Sequence, residues 1–185
     1  MRPADEPVPL TVPLCDEAVR SVRCGDRVAL SGVVYTARDA AHQRMVEALT
    51  AGAELPFDPR GQVIYYVGPT PPPPGKVIGA AGPTTSYRMD AYAPALYQAG
   101  VKATIGKGAR SDAVRRAIVE CGALYLAAIG GAGALLAQHI REAKVIAYAE
   151  LGPEAVRRLV VQDFPAIVVN DTTGGDLYLR RAAAE

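Results

Sequence analysis

Gly82-Pro83-Thr84-Thr85-Ser86-Tyr87-Arg88-Met89-Asp90 reads as a turn, a run of hydroxyls and a cation. The apolar run Val77 to Ala81 before it predicts a strand. Met89 to Gln98 after it predicts a helix closed by Gly100, with Pro94 kinking it or delaying its start. Glycine lets the backbone turn tightly and proline fixes the entry angle. Three hydroxyls and one guanidinium thus fall at a strand-to-helix corner, where the free N–H groups of a helix start point outward. Such a corner suits an anion. The competing reading of the same letters is an N-cap followed by a surface arginine.

Downstream of this corner the rhythm of strand, turn and helix repeats. Val101 to Ile105 predicts a strand, and Ser111 caps a helix with Val114, Ala117, Ile118 and Cys121 on one face. Leu124 to Ile129 predicts a strand, followed by the Gly130-Gly131-Ala132-Gly133 turn and a helix to about Ala143. Val145 to Ala149 then predicts a strand, Pro153 to Val161 a helix and Ala166 to Val169 a last strand.

Upstream, Val8 to Leu14 predicts a strand that Pro9 and Pro13 confine to a sheet edge. A short helix over Asp16 to Val22 and a β-branched strand over Val28 to Tyr35 follow. Asp39 is the expected N-cap of a helix to about Ala51, with Ala41, Met45, Ala48 and Leu49 at helical spacing. Gln62 to Val67 predicts a strand, and the proline run Pro71 to Pro74 an extended surface loop. The fold class expected is α/β, a parallel or mixed sheet flanked by helices. One domain spans residues 1–185, with residues 1–7 as a loose N-terminal arm.

Composition narrows the function. In 185 residues, half of them apolar, the chain can bury a sizeable core. Its net charge of +1, with acids and bases interspersed, argues against a nucleic-acid surface. No stretch approaches the roughly 20 apolar residues of a membrane span, and a cytoplasmic location is the expectation. The three cysteines, Cys15, Cys24 and Cys121, fit neither a disulfide framework nor a C-x-x-C metal knuckle and read as small buried hydrophobes. The two histidines, His42 and His139, are too far apart for a local metal motif. The stretch Asn170-Asp171-Thr172-Thr173-Gly174-Gly175-Asp176 reads as a turn with Asx hydrogen bonds ahead of a cation site.

Three corners place a cation at or just before a helix start: Arg38, Arg88 and Lys107. Ligands of open α/β sheets gather beyond the carboxyl ends of the strands, so these three could converge on one anion. Arginines grip a carboxylate with paired hydrogen bonds and a lysine adds a compact charge, which suits a small dicarboxylate. The phosphate-binding spellings fail: Gly106-Lys107-Gly108 is not followed by the required residues, nor is Gly131-Ala132-Gly133. Unrelated basic loops remain the competing explanation.

Arg38-Asp39-Ala40-Ala41-His42, Gly82-Pro83-Thr84-Thr85-Ser86 with Arg88, and Ile105-Gly106-Lys107-Gly108 together resemble the β subunit, or C-terminal domain, of class I fumarate hydratases. The match runs to Asp163-Phe164-Pro165-Ala166 and Gly175-Asp176-Leu177-Tyr178, and L(+)-tartrate dehydratase β subunits share the first three motifs. The resemblance implies a swivelling β/β/α domain that closes over an α subunit, which carries a [4Fe-4S] cluster. This chain would hold no metal. It also implies Thr84 as catalytic base, with Arg38, Arg88 and Lys107 binding the substrate. Asp39 and His42 would support Arg38, and Thr85 and Ser86 would satisfy backbone groups. A β homodimer within a heterotetramer, hydrating fumarate to L-malate, is the assembly implied. Tartrate dehydration and a non-catalytic anion-binding or structural subunit are the alternatives.

Overall fold

The computed structural model describes residues 6–129 and 131–182. Most of the loose arm expected over residues 1–7 lies outside the described residues. The elements are β1 (Val8–Val12), α1 (Asp16–Arg20), β2 (Arg27–Thr36), α2 (Asp39–Thr50), β3 (Val63–Tyr65), α3 (Ala93–Gln98), β4 (Ala103–Gly106), α4 (Asp112–Glu120), β5 (Leu124–Ala127), α5 (Gly133–Ala137), β6 (Ile140–Ala147), β7 (Val156–Asn170) and α6 (Leu177–Ala182). One-turn 3-10 helices cover Ser86–Met89 and, across a kink, Ala149–Glu154.

The α/β expectation with a mixed sheet holds, and the sheet closes on itself. Strands β1 to β5 run parallel in the order of the chain. β7 enters antiparallel between β5 and β2, and the ring β2-β3-β4-β5-β7 becomes a small barrel. β1 and β6 are its outer flaps, β1 at the edge that Pro9 requires. One cluster, including Leu30, Val63, Ile105, Leu126, Leu159 and Phe164, packs on one side of the strands. A second, including Met45, Ile64, Met89, Leu96, Ile118 and Tyr125, lies under α2, α3 and α4. Strands covered on both faces read as continuous apolar runs, which is how β3, β4 and β5 read.

The structure corrects several expectations. Pro153 to Val161 is not a helix: from Val156 it is strand, because pairing with β2 from Arg27 to Thr36 overrides local helix propensity. Pro165 is tolerated because β7 pairs β6 only as far as Val161 and β5 only from Ile167, so between them β7 has β2 alone beside it. The helix after Gly133 ends at Ala137, and Ala143 is already in β6.

Val77 to Ala81 is loop instead of strand. Its polar groups go elsewhere: Ala80 N–H donates to Thr70 Oγ1 at 2.8 Å and Ala81 N–H to the Gly133 carbonyl at 3.0 Å. The N-cap of α2 is Arg38, with Asp39 the first helical residue. Cys24 is buried as expected, but Cys15 is exposed and Cys121 half-buried. Pro94 delays α3 as anticipated, and Ser111 caps α4 by accepting from Val114 N–H. Asp171 accepts from the Cys24, Thr173 and Gly175 amides and the Thr173 hydroxyl, the expected Asx turn.

Candidate active site

The parallel strands β2, β3, β4 and β5 send their carboxyl ends to one rim of the barrel, and the three cation-bearing corners all leave from it. At the first, the chain leaves β2 through Ala37, whose N–H donates to the Tyr65 carbonyl at 3.2 Å. Arg38 then opens α2. Its side chain passes close to Gly68, where an added Cβ would come within 2.7 Å of Nη1. Nη2 sits 3.4 Å from Glu154 Oε1, and Nε is 3.9 Å from Asp39 Oδ2.

His42, one turn into α2, braces the same corner. Its peptide N–H and its ring Nδ1 both approach the Arg38 carbonyl, at 2.8 and 2.9 Å. A carbonyl only accepts, so the proton sits on Nδ1. Burial pushes the His42 pKa down to about 4, so the ring is neutral near pH 7.

The second corner is an added rung on β4. Thr84 N–H donates to the Tyr66 carbonyl at 2.7 Å, Lys107 N–H to the Thr84 carbonyl at 3.2 Å, and Ser86 N–H to the Lys107 carbonyl at 2.9 Å. Thr85 and Lys107 form a parallel bridge. Thr84 and Lys107 are thereby locked side by side, Thr84 half-buried and Lys107 exposed. Arg88 follows on the one-turn helix and donates from Nε to Asp39 Oδ1 at 2.9 Å. Asp39 therefore lies between the two arginines and ties the first corner to the second.

Beneath the rim, Gly106 permits the approach of Ser86, whose Oγ would lie 1.9 Å from any Cβ there. The Tyr125 hydroxyl donates to the Gly108 carbonyl at 2.7 Å and receives the Ser86 hydroxyl at 2.9 Å, so Ser86 bonds to a side chain and not to the backbone as expected. Arg110 is wholly buried against Asp90 at 2.7 Å, and its guanidinium carbon lies 5.3 and 4.8 Å from the Tyr66 and Tyr125 ring centres. Asp90 Oδ2 also accepts from Ser111 N–H at 2.7 Å. These contacts clamp the Thr84 and Lys107 corners into one unit.

The structure thus brings Arg38, Asp39, His42, Thr84, Thr85, Arg88 and Lys107 to a single rim. Sequence reasoning missed Glu154, Gly68, Asp90, Arg110 and Tyr125. Glu154 was hidden in a segment with helix-like composition. Arg110 stands two residues past the quoted Gly106-Lys107-Gly108, where a buried arginine carries no local mark. Among the described residues no three His, Cys, Asp or Glu side chains are grouped to hold a metal ion. Cys24 and Cys121 adjoin the starts of β2 and β5, at the end opposite the rim, so neither fits an iron–sulfur cluster at this site. No helix among the described residues is long and apolar enough to cross a membrane.

A family model described as Fumarase C-terminus matches residues 3–181. The chain is 42% identical over 162 residues to Fumarate hydratase 2 of Leishmania major, covering 86% of this chain and 28% of that protein. Against the anaerobic class I fumarate hydratase of Escherichia coli K12 it is 41% identical over 154 residues, covering 82% of this chain and 28% of that protein. A Methanocaldococcus jannaschii protein bearing the name of an L(+)-tartrate dehydratase subunit beta is 37% identical over 171 residues, 89% of this chain and 88% of that protein. The chain therefore spans under a third of these fumarate hydratases and nearly all of the tartrate dehydratase subunit.

Proposed function

The chain belongs to the fumarase C-terminus family, and we propose that it is the β part of a cytoplasmic class I hydro-lyase that hydrates fumarate reversibly to L-malate. The observation that carries this reading is the rim itself. Thr84 is fixed through its backbone beside Lys107, and on the same rim Asp39 accepts from Arg88 and lies 3.9 Å from Arg38.

In the malate-to-fumarate direction Thr84 Oγ1 takes the proton from the carbon beside a carboxylate, and hydroxide leaves the neighbouring carbon. An alcohol is a weak base, so the alkoxide must be favoured by the adjacent positive groups. Lys107, Arg38 and Arg88 hold the carboxylates and steady the negative charge that builds on the one next to the reacting carbon. Departure of the hydroxide is assigned to the other part of the enzyme, which in this proposal holds the [4Fe-4S] cluster. The side chains exposed around the rim, Tyr87, Ile129 and Leu135, support a partner surface that covers it. A β pair within a heterotetramer is the assembly proposed.

The test is turnover by the complete enzyme with malate, fumarate and tartrate as separate substrates. Preference for malate and fumarate supports the proposal. Preference for tartrate favours the second reading, for which the match over nearly the full length of the tartrate dehydratase subunit is the specific support. Full activity of the partner without this chain would leave it a structural role.

A further inference from the structure

We propose that Glu154 is a positioning residue for Arg38, a role that rests on the hydro-lyase reading and extends it to a residue outside the sequence motifs. Arginine has a long, rotamer-rich side chain, and gripping a carboxylate with two parallel hydrogen bonds demands that its plane be fixed beforehand. The neighbour in sequence does not fix it. Asp39 Oδ1 is taken by Arg88, while Asp39 Oδ2 and Arg38 Nε are both buried without a hydrogen-bond partner. Glu154 does the holding: Oε1 lies 3.4 Å from Arg38 Nη2, and Oε2 accepts from Ala40 N–H at 3.1 Å. One carboxylate therefore ties the guanidinium to the first turn of the helix that carries it.

The backbone beneath Glu154 is itself anchored next to Arg38. Thr36 Oγ1, two residues before Arg38, donates to the Ala155 carbonyl at 3.2 Å and accepts from Arg157 N–H at 3.0 Å. The Arg157 guanidinium then binds the carbonyls of Gly152, Pro153 and Ala155 at 2.9, 3.0 and 3.2 Å. The 3-10 turn is thus fastened to the end of β2 by groups that need nothing from Glu154. Replacing Glu154 with glutamine leaves the turn in place, keeps an amide oxygen for Ala40 N–H and removes the charge that faces Arg38.

The experiment compares Glu154→Gln, Arg38→Ala and the double variant in the complete enzyme, reading KM and kcat for malate together with the melting temperature. Glu154→Gln is expected to raise KM about tenfold, the effect of losing the ion pair that fixes the guanidinium, with kcat within about twofold. Its melting temperature is expected to match that of the unaltered enzyme. The double variant is expected to be no worse than Arg38→Ala, because the acid acts only through the arginine. An unchanged KM in Glu154→Gln beside an impaired Arg38→Ala overturns the positioning role and leaves the hydro-lyase reading standing. So does a double variant whose losses multiply. An unchanged KM in Arg38→Ala overturns Arg38 as a substrate-binding residue, and the role of Glu154 falls with it.

Discussion

Asp90 Oδ1 accepts a 2.7 Å hydrogen bond from Nε of Arg110, a side chain with no exposure to solvent. This pair joins the residue that follows the Thr84 corner to the residue that follows the Lys107 corner. Removing one member of a buried pair strands the other charge in low dielectric, which costs about 3–5 kcal/mol. Asp90→Ala should lose stability on that scale in urea unfolding. A loss below about 1 kcal/mol would mean that the Tyr66 and Tyr125 rings and the 3.2 Å hydrogen bond from Arg110 Nη1 to Thr104 Oγ1 hold the guanidinium without its acid.

Thr84→Val keeps the shape of the side chain and deletes the hydroxyl. The corner is built from backbone hydrogen bonds of Thr84 and Lys107, which valine retains. Turnover of the complete enzyme should fall by at least about a thousandfold, on the scale of losing a general base or nucleophile. The melting temperature should barely move. Activity within about tenfold of normal would exclude Thr84 as the base.

Gly68→Ala tests the seat of Arg38 without touching Glu154. The new Cβ would lie 2.7 Å from Arg38 Nη1 and 3.2 Å from its Cδ, and the flexible guanidinium can swing away. Folding should survive, while KM for the dicarboxylate rises about tenfold or more as the arginine is displaced. Normal KM in this variant would show that Arg38 has a second, equally competent orientation.

His42 makes a prediction about acid. Its pKa is driven from 6.5 down to about 4 by burial, so between those values the unfolded chain takes up a proton that the native ring refuses. Stability should be full above about pH 6.5 and fall towards pH 4, with at most about 3 kcal/mol from this group. Urea midpoints from pH 7 to pH 4 for the protein and for His42→Phe should diverge in slope, the variant being flatter. Parallel slopes would mean that His42 titrates normally.

The alternating rhythm of the chain was legible because apolar spacing changes at each turn residue, and the rim was legible because hydroxyls and cations stand together at Gly82 to Arg88 and Gly106 to Lys107. Local pattern failed where distant contacts decide. Pro153 to Val161 has helix-compatible composition, and the pairing of Arg157 with Thr36 makes it strand across 121 positions. Glu154 was unreadable for the same reason, since nothing near it in the chain points to Ala40, 114 positions away. The apolar run Val77 to Ala81 suggested a strand, but its polar groups were already committed to Thr70 and Gly133.

Because β7 shuts the barrel against β2, the seat of Arg38 has a kinetic history. Joining segments so remote in sequence forfeits more chain entropy than any neighbouring strand pair does, and topologies rich in such contacts fold slowly. The parallel strands can zip locally and already carry Thr84 beside Lys107. Glu154 arrives only with the final seam, and competence to grip a diacid should appear in refolding later than the secondary structure does.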